Sequence, residues 1–193
     1  MYEKLYLKII DTLVQDGYVV IENALDTKLS KNLLQDIQKE VDFKKAGISS
    51  SSMQHLDLTK RRDKIHWLRN DKDIQKDFLL FTQGLQEYLN RELYLGLNYY
   101  EAHYAIYEKG YFYEKHLDSF KNFKNRVVTT VYYLNESQGG ELIVYNKKGD
   151  TLTTIQPTHN KLVVFMSEKF PHEVLEANSK RYSIAGWFRV DKF

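Results

Sequence analysis

The chain reads as an α+β protein, helices first and strands after, and three observations predict it. Apolar residues recur at helical spacing through the first half, the period changes to two from Asn98 onward, and turn residues punctuate that second half. Leu5, Ile9 and Leu13 stand at i, i+4 and i+8, with Gly17 placed to stop the helix. A short strand, Tyr18–Ile21, should follow. Leu29, Leu33, Ile37 and Val41 mark a second amphipathic helix with Asp26 or Thr27 at its N-cap. Residues 46–60, including Ser49–Ser52, read as a mobile surface loop. Ile74, Phe78, Phe81, Leu85 and Leu89 form a third helical stripe that ends before Gly96. Strands are then expected at Tyr99–Tyr107, Arg126–Leu134, Glu141–Tyr145, Thr151–Ile155, Lys161–Met166, His172–Leu175 and Arg181–Val190. Gly139-Gly140, Lys148-Gly149-Asp150 and Pro157 separate them. Helices followed by such a run of strands imply a β-sandwich or barrel buttressed on one face.

The totals narrow the class. A chain of 193 residues suits one domain, here 1–193, with 1–97 as mainly helical support carrying substrate-side elements and 98–193 as the β core. A net charge of +2 provides no field that argues for nucleic acid or a membrane surface. The absence of cysteine excludes disulfides and thiolate metal sites and suits a reducing cytoplasm. The opening MYEKLYLKIIDTLVQDG has no continuous apolar core and does not read as a signal peptide. No apolar run approaches the roughly 18 residues of a membrane span. A soluble, cytoplasmic domain is expected, its oligomeric state left open.

Chemistry enters with His116-x-Asp118, His172 far downstream, and Arg181 nine residues beyond that. In extended chain, His116 and Asp118 are i and i+2 and project to the same side. Two histidines and a carboxylate can hold a divalent metal on one face, leaving positions open for substrates, as in non-haem Fe(II) oxygenases. Strand periodicity puts Thr129, Val131 and Tyr133 on one face and Arg181, Ser183, Ala185 and Trp187 on another. An inward arginine is costly to bury without an anion, and its planar fork matches a carboxylate.

With these residues in view, the chain resembles the 2-oxoglutarate/Fe(II) dioxygenases, and within them the prolyl hydroxylase branch. It looks most like the hypoxia-inducible-factor prolyl hydroxylases and their bacterial relatives. The matching stretches are Tyr107-x-x-Gly110…Tyr113-x-x-His116-x-Asp118 and Arg126-x-x-Thr129-x-x-x-Tyr133-Leu134-Asn135. Gly139-Gly140-Glu141-Leu142 and Pro171-His172-Glu173-Val174…Arg181-Tyr182-Ser183-Ile184…Trp187 continue the match. Arg62-Asp63-Lys64-Ile65-His66-Trp67 resembles an RGDKIxW-like element of that branch, with Arg62 where glycine is usual and Arg61 in place of the arginine. The opening Asp16-Gly17-Tyr18-Val19-Val20-Ile21…Leu25 is also similar. The resemblance implies a double-stranded β-helix, a jelly roll of about eight core strands with helices packed on one side.

It also implies roles. His116, Asp118 and His172 would hold Fe(II), with 2-oxoglutarate and O2 taking the open positions. Arg181 would clamp the distal carboxylate of 2-oxoglutarate, Tyr133 would donate to the same group, Tyr107 would bond the cosubstrate near the iron, and Thr129 would add polarity. Tyr113, Arg126, Trp187, Asp63 and Trp67 would line the acceptor groove. The implied reaction hydroxylates a prolyl residue in an extended segment of a protein substrate, converting 2-oxoglutarate to succinate and CO2. Ascorbate is the implied reductant, and the loop after Ala46 would cover the substrate.

Other readings stand beside this one. The same chemistry could act on a small molecule or free amino acid, the chain could be an oxygen-sensing regulator or a silent binding module, and a His₂-carboxylate site also suits a zinc hydrolase. Nucleic-acid demethylases of the superfamily carry a second arginine six residues after the clamp, where this chain has Trp187. His55, His66, His103 and His159 are expected at the surface or in local hydrogen bonds. Lys60–Arg62, Lys115, Lys121 and Lys124 are expected as solvated charge.

Overall fold

A computed structural model describes residues 2–40, 42–46, 48–50, 53–55, 59–119 and 125–190, with backbone only at 48–50 and 53–55. The helices are α1 (Glu3–Asp16), α2 (Thr27–Lys39) and α3 (Asp73–Leu93). The early strands are β1 (Tyr18–Ile21), β2 (Lys44–Lys45), β3 (Ile48–Ser50), β4 (Met53–His55) and β5 (Lys64–Trp67). After α3 come β6 (Tyr99–Tyr107), β7 (Tyr113–His116), β8 (Arg126–Tyr133) and β9 (Leu142–Tyr145). The last are β10 (Thr151–Ile155), β11 (Lys161–Met166), β12 (His172–Val174) and β13 (Arg181–Arg189).

Local chemistry accounts for the helix ends. Gly17 caps α1 in the left-handed region at φ 79°, its N–H reaching the Leu13 carbonyl. The Asp26 side chain accepts from the Lys28 and Leu29 N–H groups at the start of α2. That helix ends at Lys39, and Val41, expected to extend its stripe, lies outside the described residues.

Antiparallel pairing assembles β1-β11-β8-β13-β6-β5-β2 into one seven-stranded sheet and β10-β9-β12-β7 into a four-stranded sheet. The central strands are buried on both faces, as period-two sequence with two apolar faces requires. One face of the large sheet, with Tyr104, Val128, Tyr132, Leu162, Ile184 and Phe188, packs on Ile9, Leu13, Leu33, Ile37, Phe78 and Leu85 of the helices. The opposite face, with Ala105, Tyr107, Val131, Tyr133, Val163 and Phe165, meets Leu142, Val144, Ile155 and Val174 of the small sheet. This is the jelly-roll arrangement with helical buttress.

Two early features depart from expectation. β5 pairs with the edge of β6, Trp67 opposite His103. Ile48–Ser50 and Met53–His55 pair as a hairpin inside the stretch read as a loop, while Ser51, Ser52 and residues 56–58 lie outside the described residues, as do Lys121 and Lys124. Such short strands carry too few residues for a period, and their partners are distant in sequence. Among the described residues, no helix is long and apolar enough to cross a membrane.

A polar junction fastens α2 to the sheet. Asp36 Oδ2 accepts from Tyr104 Oη at 2.8 Å and Gln75 Nε2 at 2.9 Å, and Oδ1 from Lys72 Nζ at 3.1 Å. Burial opposes its ionisation, but the hydrogen bonds from Gln75, Tyr104 and Lys72 outweigh it and hold the carboxyl below its usual range. A group so depressed stabilises the fold above the ordinary aspartate pKa and loses that contribution as pH falls. Tyr104→Phe is therefore expected to cost about 1 kcal/mol at neutral pH. Thermal melts should show the deficit shrinking as pH drops below about 3.9.

Candidate active site

β7 and β12 are neighbours, with His172 directly opposite His116. Asp118 follows β7 two residues on, so sheet pairing and this short spacing bring three ligands together. One ligand atom from each of His116, Asp118 and His172 lies within 4.8 Å of the others. His116 Nε2 is 3.6 Å from Asp118 Oδ1, and His172 Nε2 is 3.5 Å from Asp118 Oδ2. Each imidazole places its Nδ1 on a backbone carbonyl, His116 on Glu114 at 2.7 Å and His172 on Phe170 at 3.1 Å. A carbonyl can only accept, so each Nδ1 carries a proton, which leaves Nε2 as the nitrogen available to a metal. Burial opposes the charge on Asp118, but His172 and His116 outweigh it and hold the carboxyl far below its usual range. Burial brings His172 down to about 4 against the attraction of Asp118, leaving the ring neutral. The set offers two imidazole nitrogens and one carboxylate oxygen, the donor chemistry of a divalent metal site with open positions.

The carboxylate is oriented from behind. Thr129 Oγ1 donates to Asp118 Oδ2 at 2.8 Å and lies 2.8 Å from Ser167 Oγ. A threonine hydroxyl has one proton, so the serine donates to it. Thr129 lines the cavity and commits its hydroxyl proton to Asp118. Thr129→Val should lower divalent-metal affinity by about 10- to 100-fold, measured by Mn(II) titration, because outer-shell partners set ligand geometry.

The other wall of the cavity comes from β6, β8 and β13. Arg181 is 2% exposed, yet its Nε and Nη1 have no hydrogen-bond partner among the described residues, and the same holds for Tyr133 Oη. The guanidinium sits 4.6 Å from the Tyr107 ring centre and 4.8 Å from that of Tyr133. Burial raises the pKa of both phenols, so each stays a proton donor. A buried cation and a buried phenol without acceptors, set among apolar walls, fit a carboxylate-bearing ligand. The residues present fit both an iron and a 2-oxoglutarate anion.

The expected acceptor groove is reached only in part. Tyr113, Trp187 and Asp63 line the cavity with the triad and Arg181. Tyr113 stacks on His116 at 3.6 Å. Asp63 has both oxygens on Arg61, at 2.5 and 2.8 Å, so it holds that guanidinium in place. Arg126 is not in the cavity wall. It bonds Glu101 at 2.7 and 2.9 Å and lies 3.8 Å over the Trp187 ring, bracing the indole. Trp67, 40% exposed, lines a separate pocket with Leu79, Tyr99 and Glu101.

Two cavity residues were missed. Arg61, read as part of a solvated cluster, is largely buried, paired with Asp63 and 4.5 Å over Tyr113. His103 is buried in the cavity wall. Period two along β6 was the available signal, since His103, Ala105 and Tyr107 share a face. His66 and His159 make the expected local bonds, Nδ1 of each lying against a backbone carbonyl. The His55 side chain lies outside the described residues.

Known proteins give the same reading. Residues 102–189 match the 2OG-Fe(II) oxygenase superfamily. A prolyl-4-hydroxylase structure from Pseudomonas putida is 30% identical, with a TM-score of 0.87 over 97% of this chain and 100% of that one. A prolyl hydroxylase from Trichoplax adhaerens, in complex with a hypoxia inducible factor oxygen degradation domain peptide, shares the fold. It is 24% identical, with a TM-score of 0.83 over 97% of this chain and 90% of that one. Egl nine homolog 1 of Rattus norvegicus and of Homo sapiens is 26% identical over 195 residues and 93% of this chain. That match spans 57% of the rat protein and 45% of the human one, about half the length of these relatives. By its fold and by identity across its length, the chain belongs to the 2OG-Fe(II) oxygenase superfamily.

Proposed function

We propose that the protein is an Fe(II)- and 2-oxoglutarate-dependent dioxygenase that hydroxylates a prolyl residue in a polypeptide, releasing succinate and CO2. The observation that carries this reading is a buried Arg181 and Tyr133 with unanswered donors, in one cavity with His116, Asp118 and His172. In the proposal the triad holds iron through the two Nε2 atoms and the Asp118 carboxylate. Bound there, iron and 2-oxoglutarate would supply the electrons that activate O2, the 2-oxoglutarate being oxidised to succinate and CO2.

The chain's own residues do the positioning. Arg181 and Tyr133 anchor the far carboxylate of 2-oxoglutarate, and Tyr107 closes over the same anion. Thr129 and Ser167 hold Asp118 in its ligand orientation. Tyr113 and Trp187 present aromatic surface to the incoming proline, and the Arg61–Asp63 pair fixes the wall beside Tyr113. An apolar lining restricts water around the reacting carbon. Support for a polypeptide acceptor comes from the prolyl hydroxylase relatives and from the peptide held by the Trichoplax adhaerens protein. The proposal extends to a single domain over 1–193 working in the reducing cytoplasm, with ascorbate keeping the iron ferrous.

The test incubates the protein with Fe(II), 2-oxoglutarate and a panel of proline-containing peptides under air. Mass spectrometry should find the mass of one added oxygen on proline, with succinate in equal amount. Succinate that rises with a small molecule or free amino acid, and never with a peptide, would replace the polypeptide reading.

A further inference from the structure

One polar side chain in the cavity wall has no part in holding the metal or the anion. His103 faces the cavity from β6, opposite Ala185 of β13, and is 2% exposed. Its Nδ1 lies 3.1 Å from the Tyr104 carbonyl. That oxygen only accepts, so Nδ1 carries the proton and Nε2 presents a lone pair. Burial, and after it the Arg61 guanidinium, hold the ring down to about 3, with Arg126 acting in the same direction. His103 is therefore a permanent acceptor, not an acid. Beside it, tilted at 5.4 Å between ring centres, stands Trp187, whose buried Nε1–H has no acceptor among the described residues.

The wall thus sets a lone pair next to an unanswered N–H. Neither a metal nor a dianion fits that pair. A single imidazole nitrogen beside an N–H donor is too few ligands for a metal, and its lone pair repels a carboxylate. In extended chain the N–H and C=O of one residue point to the same edge, so a bound polypeptide answers both. Proline has no N–H of its own, so the nearest donor on its C-terminal side belongs to the next residue. Resting on the prolyl-polypeptide reading above, we propose that His103 positions the substrate by accepting a hydrogen bond from the backbone N–H that follows the target proline, with Trp187 Nε1 donating to a neighbouring carbonyl. A site built around such a bond discriminates against acceptors that lack it, free proline among them.

The experiment takes a peptide that the wild-type protein hydroxylates and its twin with an ester in place of the amide after the proline. In the wild type the ester twin should have a KM about tenfold higher, the effect of one lost hydrogen bond. His103→Leu should raise the KM of the amide peptide by a similar factor and erase the amide–ester difference. His103→Gln, whose amide oxygen accepts, should restore part of it. An amide–ester ratio that persists in His103→Leu overturns the assignment. So does a loss of 2-oxoglutarate affinity as large as the loss of peptide affinity. If the wild type hydroxylates no peptide, the polypeptide reading fails and this inference with it. Peptide turnover with His103→Leu indistinguishable from wild type overturns the inference alone.

Discussion

Arg181→Ala is expected to weaken 2-oxoglutarate binding by about 2–5 kcal/mol, roughly thirty- to five-thousand-fold, while metal binding persists. The motive is the buried guanidinium whose Nε and Nη1 have no partner among the described residues. When the anion is present, the cation supplies two charged hydrogen bonds in a dry pocket, and the variant leaves a buried carboxylate unanswered. The stability effect should run the other way. Without the anion, an unpaired buried charge is a burden on the fold. Arg181→Met, which keeps volume and removes charge, should therefore melt no lower than the wild type in the absence of 2-oxoglutarate. Isothermal titration and paired melts with and without 2-oxoglutarate read both effects. Unchanged turnover at low 2-oxoglutarate in Arg181→Ala would refute the clamp.

His172→Ala should have an equally large effect of a different kind. Loss of a direct ligand exceeds the roughly 10- to 100-fold that outer-shell changes cost, so Fe(II) affinity and succinate formation should fall by more than that. A metal bound at about a hundred times its Kd stabilises a fold by about 2.7 kcal/mol. Anaerobic Fe(II) or Mn(II) should therefore raise the wild-type melting temperature and leave that of His172→Ala nearly unmoved. The two variants separate the two halves of the cavity. Arg181→Ala keeps the metal shift and loses the 2-oxoglutarate shift, whereas His172→Ala loses the metal shift itself. A retained metal shift in His172→Ala would remove that residue from the ligand set.

Helix α1 was legible because Leu5, Ile9 and Leu13 recur locally and Gly17 ends them, and both signals operate within a few residues. The seven strands expected after Asn98 were legible from period two and the turn residues between them, with boundaries off by a residue at Leu134, Glu141, Leu175 and Val190. β5 was not, since four residues with a half-buried pattern say little until β6 lies beside them. In the site, His116 and Asp118 announced themselves by residue type and i, i+2 spacing. Arg126 did not show that it would turn to Glu101, and Trp67 did not show that it would face a different pocket.

By itself, then, the sequence determined the helix-then-strand order, the two-faced core strands and the residues able to ligate a metal and clamp an anion. Periodicity and functional-group chemistry are local properties, so they survive without coordinates. Only the tertiary structure decided who answers whom: Arg61 with Asp63, Thr129 with Asp118, Arg126 behind Trp187, and His103 turned into the cavity. Arg61 and Asp63 are only two residues apart, but the cavity they line, like the other pairings, depends on distant stretches of the chain lying side by side. The free energy of a buried polar group is set by the partner it meets there.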